Sequence, residues 1–194
     1  GLLDNPENYK LLTIDDLPGQ TGADFGEFRQ DSSLLVPISY EYSSYNKKGY
    51  VRAEYSKALN ESLATSLVQK YIKRSEDYII NHFSYDTDYY LGKNIYHDRF
   101  GAYGITKEVF NRIKNDDLRK AKDEMIKISQ ERSIILGDRD QWGLDEVYFL
   151  NFSKDEIVLR KGKEVFLLII DDLIQEDLNF SDEDLIKLVK DRLD

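Results

Sequence analysis

Apolar and polar positions alternate in residues 34–55, and this pattern predicts a β-hairpin. A period of two is expected of a half-buried strand. NKKG at 46–49 supplies the turn, since Asn opens turns and Gly49 can take a positive φ. YVRAEY at 50–55 then returns as the second strand. The alternating apolar side chains of the first strand are Val36, Ile38, Tyr40 and Tyr42.

Three short apolar runs near the C-terminus predict an antiparallel meander. They are EVYFLNF at 146–152, IVLR at 157–160 and VFLLII at 165–170. Each has the length of a strand, and the intervening SKDE and KGKE sequences are typical of turns.

A spacing of three and four between apolar positions predicts helices in the middle and at the end of the chain. Residues 56–82 are predicted to form one long helix, with Leu59, Leu63, Leu67, Tyr71 and Tyr78 near one face. Thr106 can cap a helix that runs to about residue 115, and Asp116 or Asp117 can start the next. The inner stripe of that next helix is Leu118, Ala121, Met125 and Ile128.

A last helix is predicted after Ser181. Ser181 and Asp184, three residues apart, resemble a capping box. The apolar stripe that follows is Leu185, Ile186, Val189 and Leu193.

Two segments are predicted to be loop-rich. Residues 2–33 contain Pro and Gly without a clear period, and only YKLLTI at 9–14 could form a short strand. Residues 83–105 are aromatic and rich in glycine. We therefore expect residues 2–194 to form a single α+β domain, in which antiparallel strands (an N-terminal hairpin and a C-terminal three-strand meander) pack with a central set of helices.

Charge and composition exclude several kinds of chemistry. The net charge is -10 and the isoelectric point is about 4.8, which argues against a nucleic-acid partner because phosphate binding needs basic residues. The chain has no cysteine, so disulfides, thiolate catalysis and cysteine metal sites are excluded. The segment 171–194 is strongly acidic and could favour a basic partner.

The sequence GDRDQWGLDEVYF at 137–149 is the best candidate for a cation loop. With Asp138 at the first position of a calcium-binding loop, Asp140 and Gly143 fall where the motif needs them. Trp142 and Phe149, however, occupy ligand positions. We therefore interpret the segment as a turn in which Trp142 folds back over the core, and we expect neither a metal nor a cofactor.

Catalytic candidates rest on residue type alone. Asp86 and Asp88 form a carboxylate pair between tyrosines, and His97 could act as a base. The motifs for a nucleophile elbow, a zinc protease helix or a phosphate loop are missing from the sequence. A hydrolase with an acidic site remains the third of three hypotheses.

Tyrosine is the most unusual feature of the composition. There are 14 tyrosines, and ten of them fall in residues 40–55 and 85–103. Exposed tyrosine clusters often mark protein or sugar contacts, although tyrosines also close the edges of cores. The predicted binding residues are Tyr85, Tyr89, Tyr90, Tyr96, Tyr40 and Tyr42.

The preferred hypothesis is a non-enzymatic extracytoplasmic bacterial domain that binds a protein or a cell-envelope polysaccharide. Gly1 resembles a scar of tag cleavage, so we expect that an N-terminal anchor, as in a lipoprotein, has been removed. Only that anchor would connect the domain to a membrane. The alternative is a cytosolic acidic protein of the immunity type, which neutralises a basic partner.

Overall fold

The computed structural model describes residues 11–20, 25–81, 85–98, 100, 105–136, 139–150 and 156–193. Six strands form one antiparallel sheet in the order β1-β2-β3-β6-β5-β4. The predicted α+β class with a hairpin and a C-terminal meander is confirmed. Strands β3 and β6 join these two parts at the centre of the sheet. The strands are β1 Phe25–Gln30, β2 Ile38–Asn46, β3 Gly49–Lys57, β4 Glu146–Leu150, β5 Glu156–Lys161 and β6 Glu164–Ile170.

The helices are inserted mainly between β3 and β4. Four of them, together with the short α5, fill that interval, and two follow β6. Thr106 caps α3, and Ser181 with Asp184 forms the capping box of α7, as predicted. The bounds are α1 Glu61–Asn81, α2 Tyr85–Gly92, α3 Lys107–Ile113, α4 Leu118–Leu136, α5 Arg139–Trp142, α6 Asp172–Leu178 and α7 Asp182–Lys190.

Two predictions for the N-terminal segment were wrong. Residues 25–30 form strand β1 rather than loop. Residues 11–13 are not a strand, and Ile14–Asp16 form a single 3-10 turn with a capping box from Thr13. The apolar side chains here, among them Leu11 and Leu12, are buried because the segment lies across the sheet as a cover.

The long helix begins five residues later than predicted, at Glu61, because residues 49–57 continue the hairpin. Asn60 caps it, since its side chain accepts from the backbone N–H of Leu63 at 2.9 Å. The predicted stripe was partly wrong: Leu59 and Tyr78 are exposed. The buried face is Ala64, Val68, Tyr71, Ser75 and Ile79.

The segment 83–105 was predicted as loop, yet it contains helix α2. Asn94 then takes the left-handed conformation, with φ of 56°, after the helix ends. Helix α6 was not predicted either. It is a short helix whose N-terminus is capped by the side chain of Asp171.

Side chains alternate between the two faces of the sheet. On one face, Val51 and Phe166 join a core covered by residues 11–17, α6 and α7. We call this the α7 face. On the opposite face, Val158 and Leu167 pack against Val68 of α1, and we call this the α1 face. A third apolar cluster lies among α1–α4 and contains Ile79, Leu91, Phe100, Ile105, Phe110, Ile113, Ala121 and Met125.

Candidate functional site

The end of α2 carries a group of exposed and half-buried side chains, which we call the α2 patch: Tyr89, Tyr90, Lys93, Ile95 and His97. Tyr89 meets Tyr90 edge to face at 5.3 Å between centroids, and Tyr90 stacks on His97 at 4.4 Å. The ammonium of Lys93 lies 5.8 Å from the centre of the Tyr89 ring. Tyr89 is 49% exposed and Ile95 is 51% exposed.

Backbone hydrogen bonds fix the turn that presents this patch. The N–H of Lys93 donates to the carbonyl of Tyr89, and the N–H of Ile95 donates to that of Tyr90 at 3.0 Å. The side chain of Asn94 donates to Asp116 at 2.7 Å, which connects the turn to the start of α4. Ile95 is therefore exposed on an ordered backbone.

The other predicted binding tyrosines are distributed elsewhere. Tyr96 has an interior role, since it packs on Phe100 and Phe110 and its hydroxyl donates to the carbonyl of Ile105 at 3.3 Å. The side chain of Tyr85 lies outside the described part of the chain. The aromatic residues between 85 and 103 thus contribute both to the apolar cluster among α1–α4 and to the α2 patch.

Tyr40 and Tyr42 lie on β2 and pack against the α7 face of the sheet. Tyr40 stacks on Phe28 of β1 at 5.8 Å. Tyr42 covers Gly26, where a Cβ would lie 1.8 Å from its hydroxyl oxygen. Both tyrosines are half-buried and hold the edge strand β1 onto the sheet. The structure assigns them a packing role and does not group them with Tyr96 or the α2 patch.

The catalytic candidates have contacts of their own. Asp88 pairs with Lys122, whose ammonium is 3.0 Å from its carboxylate and 2.9 Å from the carbonyl of Ile80. Lys122 is 5% exposed, so this pair fastens α2 to α4 among buried side chains. His97 stacks on Tyr90. The side chain of Asp86 and all of His82 lie outside the described residues.

The described part of the acidic segment 137–149 begins with helix α5. Trp142 is half-buried against the α7-face core, as predicted, with the ammonium of Lys190 5.9 Å from its ring centre. Gly143 takes a φ of 65° and ends the short helix. Residue 138 and the side chain of Asp140 lie outside the described residues. Within the described residues, no group of three or more acidic or histidine side chains could hold a metal ion.

Three carboxylates of the acidic C-terminal segment have structural contacts. Asp171 caps α6, and Asp184 belongs to the capping box of α7. Asp177 forms an ion pair with Lys48 of the β2–β3 turn, and this hydrogen bond lowers its pKa. In these contacts Asp177 is paired with a cation, whereas Asp171 and Asp184 accept hydrogen bonds from backbone N–H groups.

A polar cluster on the α1 face was not predicted from the sequence. Glu41 of β2 and Glu54 of β3 are direct cross-strand partners. Arg52 bridges them, with one guanidinium nitrogen 2.7 Å from Glu41 Oε2 and 3.2 Å from Glu54 Oε1. Both carboxylate side chains are 15% exposed or less. The register of the hairpin, rather than any local motif, brings the three together.

The two carboxyl groups of this cluster differ in acidity. Burial, assisted by a hydrogen bond to Glu41, raises the pKa of Glu54 to about 7. Burial also opposes ionisation of Glu41, but its hydrogen bond with Glu54 and the charge of Arg52 outweigh that effect and lower its pKa. Oxygen Oε2 of Glu54 is buried without a hydrogen-bond partner in the structure, and burial of this kind disfavours the charged form. Like charges on opposed strands are disfavoured, and one shared proton relieves them.

Tyr71 of α1 covers the polar cluster on the α1 face of the sheet. Its pKa is raised by burial first and then by the charge of Glu54. The guanidinium of Arg74 lies 5.0 Å from the Tyr71 ring centre and 3.6 Å from Glu156. The cluster therefore ties β2 and β3 to α1 through protonated and charged groups.

Comparisons of the chain with protein-family models, with curated proteins and with solved structures gave no match. None of the helices in the described ranges has the length and apolar character needed to cross a bilayer.

Proposed function

We propose that this domain is a non-enzymatic binding module that works outside the cytoplasm and captures a protein or cell-envelope ligand through the α2 patch. The observation that carries the proposal is the exposure of Tyr89 and Ile95 within one turn of the end of α2. Their backbone is hydrogen-bonded on both sides. Tyrosine offers a large rigid surface with one polar tip, and a preformed surface loses little entropy on binding.

The third hypothesis, a hydrolase with an acidic site, has weaker support. Asp88 is neutralised by Lys122, and His97 is stacked on Tyr90. A general base needs access to its substrate at hydrogen-bond distance, and these two side chains are occupied by partners within the fold. Ligand capture needs only the exposed rings and the apolar side chain beside them.

Capture by immobilised variants tests the proposal. Tyr89→Ser combined with Ile95→Ser should abolish retention of the partner from an envelope fraction of the source organism. A matched control is Leu173→Ser, since Leu173 is a comparably exposed leucine on α6. Thermal unfolding should show that both variants remain folded. Equal retention by the wild type, the double variant and the control would contradict the proposal.

A purified cell-wall polysaccharide, used as the second probe, separates the two ligand classes. Retention of the polysaccharide that depends on Tyr89 would identify a glycan ligand. Retention of a protease-sensitive component would identify a protein ligand. The location is tested by treating intact cells with protease: degradation of the domain supports an outward-facing position, and full protection contradicts it.

A further inference from the structure

Strand β1 lies at one end of the six-stranded sheet, and among the described residues β2 is its only strand neighbour. An edge strand offers backbone N–H and carbonyl groups to an extended segment that lies beside it. The residues Gly26, Glu27, Arg29 and Gln30 are exposed, and Phe28 is half-buried. Strand β1 is therefore a candidate surface for the addition of another strand.

The strand at the other end of the sheet, β4, is less accessible. Its side chains are mostly buried. The hydroxyl of Ser129 on α4 donates to the carbonyl of Phe149 at 3.4 Å, so helix α4 lies against this strand. Of the two ends of the sheet, the β1 end is the better docking surface.

The register of β1 on β2 determines which backbone groups point away from the sheet. The N–H of Asp31 donates to the carbonyl of Ser39 at 2.9 Å, and these two residues continue the β1–β2 register. In an antiparallel ladder the direction of the backbone groups alternates from one residue to the next. Every second residue counted back from Asp31 therefore faces β2, whereas Gly26, Phe28 and Gln30 direct their backbone groups outward.

The sequence of β1 is self-complementary in one antiparallel register. When two copies pair about a two-fold axis at Phe28, Gly26 lies opposite the partner's Gln30, so the outward backbone groups of the two strands meet in phase. In the same register Glu27 lies opposite the partner's Arg29, and by symmetry Arg29 lies opposite the partner's Glu27. Opposite charges at facing positions stabilise a pair of strands.

Other registers are disfavoured by charge or by backbone direction. Slipping one strand by two residues keeps the backbone groups in phase, but it places Glu27 opposite the partner's Glu27 or Arg29 opposite the partner's Arg29. Like charges at facing positions are destabilising. A slip of one residue sets inward groups against outward ones. Charges on an edge strand disfavour pairing with unrelated strands, and here they match a second copy in a single register.

Phe28 adds an apolar contact at the centre of this pairing. Its ring stacks on Tyr40 of β2 at 5.8 Å and packs against the core of the α7 face. At facing positions the Cβ atoms of the two Phe28 side chains would be about 5 Å apart, on the same face of the joined sheet. The pairing therefore buries ring surface that is only half-buried in the single chain.

We propose that two copies of the chain associate through β1, which joins their sheets into one continuous antiparallel sheet. The net charge of -10 on each chain opposes association. Charges farther apart than about 8 Å are largely screened at physiological ionic strength, and the facing side chains of Glu27 and Arg29 are closer than that. The α2 patch belongs to a different element and takes no part in this contact.

Sedimentation equilibrium at micromolar to submillimolar concentrations tests the proposal, and the wild type should show a monomer–dimer equilibrium. Glu27→Arg and Arg29→Glu each place like charges at both facing positions, so each should weaken dimerisation at least about tenfold. A mixture of the two variants restores opposite charges and should form a heterodimer with the affinity of the wild type. The control Lys70→Glu, at an exposed position of α1, changes the net charge as much as Arg29→Glu and should leave dimerisation unchanged.

Disulfide trapping measures the register, because the chain has no cysteine of its own. Under mild oxidation, Glu27→Cys mixed with Arg29→Cys should give a crosslinked dimer of the two different chains, identified by its mass. Each of these variants alone should crosslink much less. Efficient crosslinking of either variant with itself would show a slipped register and would contradict the proposed pairing.

Three further outcomes would overturn the proposal: a wild type that stays monomeric throughout the concentration range, equal dimerisation of the wild type and both charge variants, or no heterodimer in the mixture. Arg29 faces Glu41 of β2, so thermal unfolding should confirm that each variant is folded. The variant Tyr89→Ser with Ile95→Ser should dimerise like the wild type, so failure of this proposal is distinguishable from failure of the proposed ligand site.

Discussion

Replacing Glu54 with Gln tests whether the buried carboxyl pair of the sheet holds a proton near neutral pH. Gln has the shape of a protonated Glu and cannot ionise. The pKa of Glu54 is raised from its ordinary 4.5 to about 7, and its side chain is 12% exposed. At about 1.4 kcal/mol per pKa unit, ionising it in the folded chain costs on the order of 3 kcal/mol.

The sign of the pH dependence follows from linkage. Below a pH of 4.5 both the folded and the unfolded chain hold the proton of Glu54. Between 4.5 and about 7 the unfolded chain loses the proton while the folded chain keeps it. The free energy of unfolding therefore falls as pH rises through this window and levels off above it. Glu41, whose pKa is lowered, contributes stability above pH 4.5 that is lost in more acidic solution.

Urea unfolding at a series of pH values, followed by the fluorescence of Trp142, measures the effect. The difference in free energy of unfolding between Glu54→Gln and the wild type should grow by about 3 kcal/mol from about pH 4.5 to about pH 8. Glu27→Gln, at an exposed position of strand β1, is the matched control. Parallel curves for the wild type and Glu54→Gln would refute the reasoning.

Two further substitutions test the packing of the fold. Gly49→Ala should destabilise the chain by about 1–3 kcal/mol, because Gly49 has a φ of 154° and its Cβ would lie 2.5 Å from Asp171 Cγ. Urea unfolding measures this change. The control Gly92→Ala should have little effect, because nothing lies within 4 Å of the Cβ that it adds. Asp88→Ala should cost about 3–5 kcal/mol because it leaves Lys122 buried without its carboxylate. The combined change with Lys122→Met should recover most of that loss in the same assay, and no recovery would contradict a pairing role.

Local signals predicted the elements that local contacts determine. The side chains of Thr106 and Ser181 accept hydrogen bonds from the backbone N–H groups three residues later in the chain. The starts of these helices can therefore be predicted from short stretches of sequence. The β2–β3 turn is equally local, since Asn46 accepts from the N–H groups of Lys48 and Gly49. These contacts form between residues that are only two or three positions apart in the sequence.

The sequence did not predict the elements that depend on partners far away in the chain. Strand β1 has no strong apolar alternation in FGEFRQ, and Gly26 there makes room for the ring of Tyr42. The buried face of α1 includes the small residues Ala64 and Ser75. They are buried because the helix packs against the sheet, and their own hydrophobicity does not predict that burial. The tyrosine windows indicated aromatic surfaces, but register and helix packing decided that Tyr89 is exposed and Tyr96 is not.

The pairing of β3 with β6 at the centre of the sheet has a consequence for folding during synthesis on the ribosome. Lys57 and Glu164 are paired, although 107 positions separate them. At about 5–20 residues per second, the ribosome needs roughly 5–20 s to supply β6 after β3 has emerged. During that interval β3 is an unpaired edge, which is a template for aggregation with other nascent chains. Arg52 and Glu54, which form the buried ion cluster in the finished domain, place charges on this strand, and charges on an edge strand disfavour its pairing with other chains.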